Sequence, residues 1–370
     1  MPELPEVHRA ERACHEFLVG KKIIDVETKE DLLVFCEMPH EKFAELLLNK
    51  TVTETGRRGK YFYFLLDEGP HPVFHFGMTG DIKFKGHQSF HYRRKRPSSS
   101  SWPPLYYKLI LTFASPEQPE QPDQMSSSSP STSSSSVIVA FTDPRRLSRI
   151  RLVPSPVLSH PPLSDLGFDP LQDLPSVAAF SAQVSSRKCP IKALLLDQSF
   201  SAGVGNWVAD EVLYQARVHP NQRANTLNKE QKKIIREKLV WVCEKAVKVN
   251  ANPDEFPKDW LFHVRWSKSK KKKVKMPDGN EVIFLTVGGR TTAVVPAIQK
   301  IKGDVGSFVE KIKDDTDDNS EVQEDEIVIV KETKQNKRVV KRKIVKGDEF
   351  GTGKKVSFGN LESWRLSGLF

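Results

Sequence analysis

Met1-Pro2-Glu3-Leu4-Pro5-Glu6-Val7 opens a run to Gly20 around which the rest of the chain can be read. Pro5 suits the first turn of a helix, where its missing N–H is unpaired anyway, and Gly20 suits the C-terminal stop. Between them Val7, Ala10, Ala13, Cys14, Phe17 and Leu18 recur at helical spacing, which predicts a helix over 4–19. The residues just ahead of it are chemically dense. Removal of Met1 leaves Pro2 as a terminal secondary amine. An α-amino group titrates near ~8, below a lysine, so more of it is neutral and nucleophilic at pH 7. A place ahead of a helix N-terminus disfavours its protonated form further. Such an amine suits covalent catalysis of the Schiff-base type. Glu3 and Glu6 lie three apart on one side of the helix start, so one suits proton transfer and the other positioning.

Downstream the apolar period shortens. Ile23–Val26, Leu32–Phe35, Tyr61–Leu66, Val73–Phe76 and Ile82–Phe84 read as strands, and the Tyr-Phe-Tyr-Phe run with Gly-rich connections favours an antiparallel sheet. Tyr106–Phe113 and Val137–Phe141 read as arms of one hairpin with an expanded loop. Residues 126–136 hold nine Ser, one Thr and one Pro, a composition that buries no core. Insertions of this kind cost little loop-closure entropy. An N-terminal domain of 1–152 with a disordered insertion at about 97–136 is therefore expected. Residues 153–175 are Pro-rich and read as a linker. From 176 the pattern turns helical, clearest at Ile191–Leu196, Val208–Ala216 and Lys229–Lys248, then returns to strands at Phe284–Val287 and Thr291–Val295. This defines a second domain of 176–300. Residues 301–370 read as a charged, largely disordered tail whose basic run Lys337–Lys346 is compatible with nuclear import or DNA contact. The fold class is α+β, a helix and antiparallel sandwich followed by a helical domain.

Composition narrows the function classes. The 370 residues, 38% hydrophobic, suffice for about two domains at ~150 residues each. No apolar run approaches the ~18 residues of a membrane span, and the acidic, mixed start is unlike a secretory signal. Cys14, Cys36, Cys189 and Cys243 are scattered without a C-x-x-C pair, which disfavours a disulfide framework and a zinc site and points to a reducing compartment. A net charge of +10 favours a polyanionic partner. Basic residues also punctuate the folded segments, as Arg57-Arg58-Gly59-Lys60 and Arg145-Arg146, which makes nucleic acid the expected partner.

Several segments could carry that interaction. Lys60 follows a glycine that permits close backbone approach, and it suits a phosphate. Met78, raised between glycines in His75-Phe76-Gly77-Met78-Thr79-Gly80, suits an apolar wedge into a base stack. In Asp143-Pro144-Arg145-Arg146-Leu147 a turn presents guanidinium groups for a base or phosphate, then an apolar side chain to fill a gap. Gln198–Asn206 is a Gly-x-Gly turn feeding a helix, with Asn206 at the cap as a phosphate donor. Gly288-Gly289-Arg290 reads as a hairpin tip whose arginine suits a phosphate.

Each motif alone is of modest specificity, but together, in order over residues 1–300, they resemble the formamidopyrimidine-DNA glycosylase and endonuclease VIII family. The resemblance rests on Pro2–Val7, Arg58-Gly59-Lys60, His75–Gly80, Thr142–Arg146, Asp197–Asn206 and Gly289-Arg290-Thr291. It implies a helix–two-turn–helix second domain, with DNA in the cleft between the two domains. It implies Pro2 as nucleophile, Glu3 as main proton donor, Glu6 as supporting carboxylate, and Lys60 and Asn206 on the phosphates of a flipped nucleotide. Met78, Arg145 and Leu147 would fill the gap, though the family usually has an aromatic where Leu147 stands. His75, Tyr107, Lys188 and Lys192 are implied as further DNA or damaged-base contacts. Many bacterial members end in a four-cysteine zinc hairpin. This chain has no cysteine after Cys243 and resembles the zincless-finger branch, with Arg290 inheriting the phosphate grip and a role in δ-elimination. The implied activity is excision of oxidised purines, formamidopyrimidines first and 8-oxoguanine as a further candidate, with strand cleavage. The expected partner is duplex DNA with oxidised bases or abasic sites. The enzyme is expected to be a nuclear monomer without a cofactor. Two rivals are an oxidised-pyrimidine glycosylase of the endonuclease VIII type and a damaged-DNA-binding protein without catalysis.

Overall fold

The computed structural model describes residues 2–87, 101–114, 136–267 and 273–301. The serine run up to residue 135 and the tail with Lys337–Lys346 lie outside the described residues.

The first helix, α1 (Leu4–Leu18), forms where its periodicity predicts. It is followed by β1 (Ile23–Thr28), α2 (His40–Leu47), β2 (Val52–Arg58), β3 (Tyr61–Leu66), β4 (His71–His75), β5 (Asp81–Phe84), β6 (Tyr107–Phe113), β7 (Val137–Thr142) and β8 (Arg149–Val153). Two four-stranded antiparallel sheets result, ordered β1-β6-β7-β5 and β2-β3-β4-β8. Alternation decides the inner face. Phe62, Phe64 and Leu66 of β3 point inward with Phe74 and Ile150, and meet Leu109, Leu111, Phe113, Val139 and Phe141 of the other sheet. The expected hairpin is present, with β6 and β7 paired from Tyr107↔Thr142 to Phe113↔Val137. Its first arm falls inside the span read as a disordered insertion, so only the loop between the arms is expanded.

Two readings change. Leu32–Phe35 is a series of turns rather than a strand. Cys36 and Glu37 adopt left-handed φ of 54° and 68°, and core contact explains only Val34 and Phe35, which are buried, while Leu32 and Leu33 are exposed. Residues 153–175 are not a slack linker. Val157 and Leu163 pack on Val73 and Val153 of the sandwich, and Phe168 enters the core of the helical domain.

That domain comprises α3 (Val177–Ser185), α4 (Ile191–Leu196), α5 (Asn206–Gln215) and α6 (Lys229–Lys248). The start of α6 is fixed by a reciprocal cap between Asn228 and Gln231. The chain ends in an antiparallel sheet, β9 (Val274–Lys275), β10 (Glu281–Val287) and β11 (Arg290–Val294). It closes over its own apolar cluster of Leu261, Met276, Val282, Ala293 and Val295. Among the described residues no helix is long and apolar enough to cross a membrane.

The placement of α1 sets up the site. Leu4 joins the helical-domain core, whereas Val7, Ala10, Ala13, Cys14 and Leu18 join the sandwich core. The Leu4 N–H donates to the Gly203 carbonyl at 3.1 Å. The Arg9 guanidinium donates to the carbonyls of Asn250 and Ala251 just beyond α6, both at 3.3 Å. Pro2 and Glu3 are thereby held at the seam between the domains.

Candidate active site

At the seam, one domain caps a helix of the other. The first turn of a helix leaves N–H groups without partners, and Gly205, which precedes α5, has no side chain to satisfy them. Glu3 does so instead. Its Oε1 accepts from the Trp207 N–H at 2.9 Å and its Oε2 from the Val208 N–H at 3.0 Å. A Cβ at residue 205 would lie 2.2 Å from Glu3 Cδ, so only glycine leaves this space. Glu6 Oε2 in turn accepts the Glu3 backbone N–H at 2.9 Å. Both carboxyl groups are buried. Burial pushes the Glu3 carboxyl up, and Lys60, the two amides and Arg265 only partly offset it. Burial and the charge of Glu3 push Glu6 up to about 7. The pair can hold a proton near neutral pH.

Lys60 reaches the same seam from the β2–β3 turn. Gly59 there has φ 58°, and a Cβ on it would lie 3.0 Å from Gly203 N. The turn therefore lies against the loop that leads into α5. The Lys60 ammonium is buried. Burial, then Arg290, push its pKa down against the pull of Glu3 and Glu6. Arg290 follows the turn Gly288-Gly289, whose left-handed φ values of 58° and 70° suit a two-residue hairpin. Asn206 Nδ2 donates to the Thr291 carbonyl at 3.0 Å and ties this hairpin to α5. Behind both, the fully buried Asp210 pairs with Lys192 at 2.6 Å and Arg265 at 2.7 Å, while Lys192 also donates to Thr292 Oγ1 at 2.7 Å. The seam thus assembles a half-buried Pro2, two carboxyls with raised pKa, a lysine with a lowered one, and an exposed arginine. That set can hold an anion, move a proton and present an amine.

A second group of residues forms a rim. Gly77 has φ 57°, and a Cβ on it would lie 2.2 Å from the Leu147 carbonyl oxygen, so the Met78 turn and the 143–148 loop touch backbone to backbone. The buried Asp143 organises both. It accepts from Thr79 Oγ1 at 2.6 Å and from the N–H groups of Arg145, Leu147 and Ser148 at 3.1, 2.7 and 2.7 Å. Met78 and Leu147 are left 37% and 39% exposed. The Arg145 side chain has no partner among the described residues. His75 accepts from the Gly77 N–H at 3.2 Å. Burial, with Lys60, Arg151 and Arg149, pushes it down to about 4, so it is neutral at physiological pH.

Residues 1–150 match the formamidopyrimidine-DNA glycosylase N-terminal domain and 166–256 the formamidopyrimidine-DNA glycosylase H2TH domain. The formamidopyrimidine-DNA glycosylase of Arabidopsis thaliana is 39% identical over 314 residues, 85% of this chain and 74% of that one. This chain belongs to the formamidopyrimidine-DNA glycosylase family. A Desulfitobacterium hafniense relative of the same name is 28% identical over 81% of this chain and 100% of its own. The Lactococcus lactis glycosylase, solved with DNA containing an AP site, has the same fold. Its TM-score is 0.62 at 23% identity, with 80% of this chain and 99% of that one covered. The same enzyme solved with an N7-benzyl-Fapy-dG DNA matches at 0.62 and 23%, over 81% and 100%.

Within this glycosylase fold the residues singled out from sequence separate. Pro2, Glu3, Glu6, Lys60, Asn206 and Arg290 gather at the seam, and Met78, Arg145 and Leu147 gather at the rim, with His75 at the root of the Met78 turn. Others are corrected. Lys192 is fully buried and neutralises Asp210, so it supports the seam from behind and offers DNA no contact. Tyr107 is buried in a small cluster with Ile110 and Ala140, donates to Glu27 and lies 4.0 Å beneath Lys29. Asn206 is the first residue of α5 rather than its cap. Arg57 is paired with buried Asp169 at 2.5 Å and Arg58 with Asp173 at 2.8 Å, so Lys60 alone of that basic cluster faces the seam. Lys188 is exposed ahead of α4, and among the described residues no hydrogen bond joins its side chain to the seam. Sequence reasoning missed Asp169, Asp210 and Arg265 as supports. Only Asp210 left a trace, as an acidic residue in the otherwise apolar start of a helix.

Proposed function

We propose that this chain is a bifunctional DNA glycosylase and AP lyase of base-excision repair, acting on duplex DNA that contains oxidised purines, formamidopyrimidines first. The observation that carries this reading is the Glu3 cap on α5, which holds the chain start beside Lys60 and Arg290. The damaged nucleotide is turned out of the duplex, at an unstacking cost of a few kcal/mol that a lesion lowers. The free amine of Pro2 attacks C1′, the C1′–N bond breaks, and the base leaves with that electron pair and a proton. Glu3, whose raised pKa lets it carry a proton, protonates O4′ as the ring opens, leaving an iminium at C1′. Loss of the C2′ proton then breaks C3′–O3′, and δ-elimination breaks C5′–O5′. Lys60 and Arg290 hold the phosphates, and Glu6 positions Glu3. Met78, Arg145 and Leu147 fill the vacated stack.

We further propose that the β9–β11 finger needs no zinc, since an apolar cluster supports it and the sequence has no cysteine after Cys243. A monomer acting in the nucleus fits the basic run in the tail. Borohydride added during turnover should trap a covalent protein–DNA complex. Absence of trapping, or trapping that survives when a retained Met1 or an N-terminal extension blocks the Pro2 amine, would sink the reading. Side-by-side excision of a formamidopyrimidine and a thymine glycol tests the substrate class, and the former should be faster.

A further inference from the structure

Beside the rim, one aromatic residue has no structural duty. Tyr106 precedes β6 and is 62% exposed, next to Leu105 at 69%. Its φ is 62°, a left-handed conformation that a bulky side chain rarely adopts. A residue held in a disfavoured conformation while most of its surface stays exposed is a candidate for function. Its backbone shows where it sits. The Tyr106 carbonyl accepts the Asp143 N–H at 3.0 Å, one step beyond the Tyr107↔Thr142 pair of the ladder. Tyr106 is therefore the cross-strand neighbour of the residue that organises Arg145 and Leu147. On its other side Lys108 pairs with Asp31 at 2.8 Å, and the same carboxylate holds Arg146 at 2.8 Å. The segment is tied to the 143–148 loop at two points, which places the exposed Tyr106 across the ladder from the turn that carries Arg145 and Leu147.

We propose that Tyr106 is a further lesion-recognition residue, whose ring stacks on a nucleobase left unstacked where the reacting nucleotide is turned out. This rests on the glycosylase reading above. The occupant follows from chemistry and continuity. Met78 and Leu147 are aliphatic wedges that fill space but offer no aromatic face, whereas Tyr106 carries an exposed ring on the segment paired with the 143–148 loop. An unstacked base is a flat apolar surface, for which an aromatic ring is the sequence-tolerant partner. An intact duplex offers no such face, so the contact acts on lesion selectivity rather than on general DNA affinity.

The test uses the full chain and two duplexes, one intact and one with an abasic analogue, and measures the dissociation constant for each. Tyr106→Gly removes the ring and suits the left-handed φ. It should keep or raise the thermal midpoint, bind intact duplex within about twofold of the unmodified chain, and bind the abasic duplex about tenfold more weakly, within the range of base–aromatic stacking. Tyr106→Phe should match the unmodified chain on both duplexes. Unchanged abasic affinity in Tyr106→Gly overturns the proposal, as does equal weakening on both duplexes. A Phe variant as weak as Gly assigns the effect to the hydroxyl and overturns stacking. If Tyr106→Gly lowers the thermal midpoint, Tyr106→Leu against Tyr106→Phe makes the same comparison with bulk preserved, and Leu must weaken abasic binding. Failure of the unmodified chain to be trapped by borohydride sinks the catalytic reading instead, and the two affinities remain readable without it.

Discussion

Seam and rim are each organised by a buried carboxylate, and they use it differently. At the seam Glu3 itself lines the candidate site. Its two oxygens are held by backbone N–H donors, and its space exists because residue 205 lacks a side chain. At the rim Asp143 stays behind the surface and holds two turns by their backbones, so that Met78, Arg145 and Leu147 project. The difference follows from task. A proton-transfer group needs a fixed place in low dielectric, whereas a wedge needs an exposed tip on a stiff base.

Gly205→Ala should break the seam most severely. Its methyl evicts Glu3, leaves two amides without acceptors, and should lower single-turnover incision by at least ~100-fold and stability by about 2–5 kcal/mol. Near-normal incision would mean that Glu3 need not be where it is seen. Arg57→Ala strips a buried charge from Asp169 and should cost about 3–5 kcal/mol in urea unfolding. Loss below 1 kcal/mol would show the domain clasp to be idle.

Glu211 sharpens the contrast, because it lies next to ion-paired Asp210 and has no salt bridge among the described residues. Its oxygens accept from Gln215 Nε2 and the Phe262 N–H, both at 2.9 Å. Burial pushes it from 4.5 up to about 7. The folded state then binds this proton more tightly than the unfolded one. Its contribution is full below about 4.5 and is lost as pH rises to about 7, on the order of 3 kcal/mol. Glu211→Gln should flatten the fall in stability across that window, and an unaltered pH profile would refute it. At the rim, Asp143→Ala should cost about 2 kcal/mol through its orphaned donors and weaken lesion binding. Leu147→Ala should change stability by no more than ~0.5 kcal/mol while still weakening lesion binding. Equal stability losses for the two would erase the distinction between base and tip.

Much of the architecture was legible because it is local. The helix period read over residues 4–19, the Tyr61–Leu66 strand, the Lys229–Lys248 helix and the Gly288-Gly289 turn each need only a few neighbouring residues. The chain order of the motifs likewise named most of the seam and rim. Tyr107 was misread because its burial depends on Ile110, on Ala140 of the paired strand and on Glu27, which nothing local identifies.

What sequence by itself determined is the set of elements and the inventory of candidate groups: Pro2, two carboxylates three apart, and lysine and arginine at glycine turns. Only the tertiary structure decided which cations are available to DNA. Arg57, Arg146 and Lys192 look as free in sequence as Lys60, yet the first two find their carboxylates 112 and 115 residues away, and Lys192 meets Asp210 from another helix. A buried carboxylate is costly unless a cation or hydrogen-bond donors meet it, and which group meets it depends on how the chain folds back on itself, a distance that no periodicity encodes.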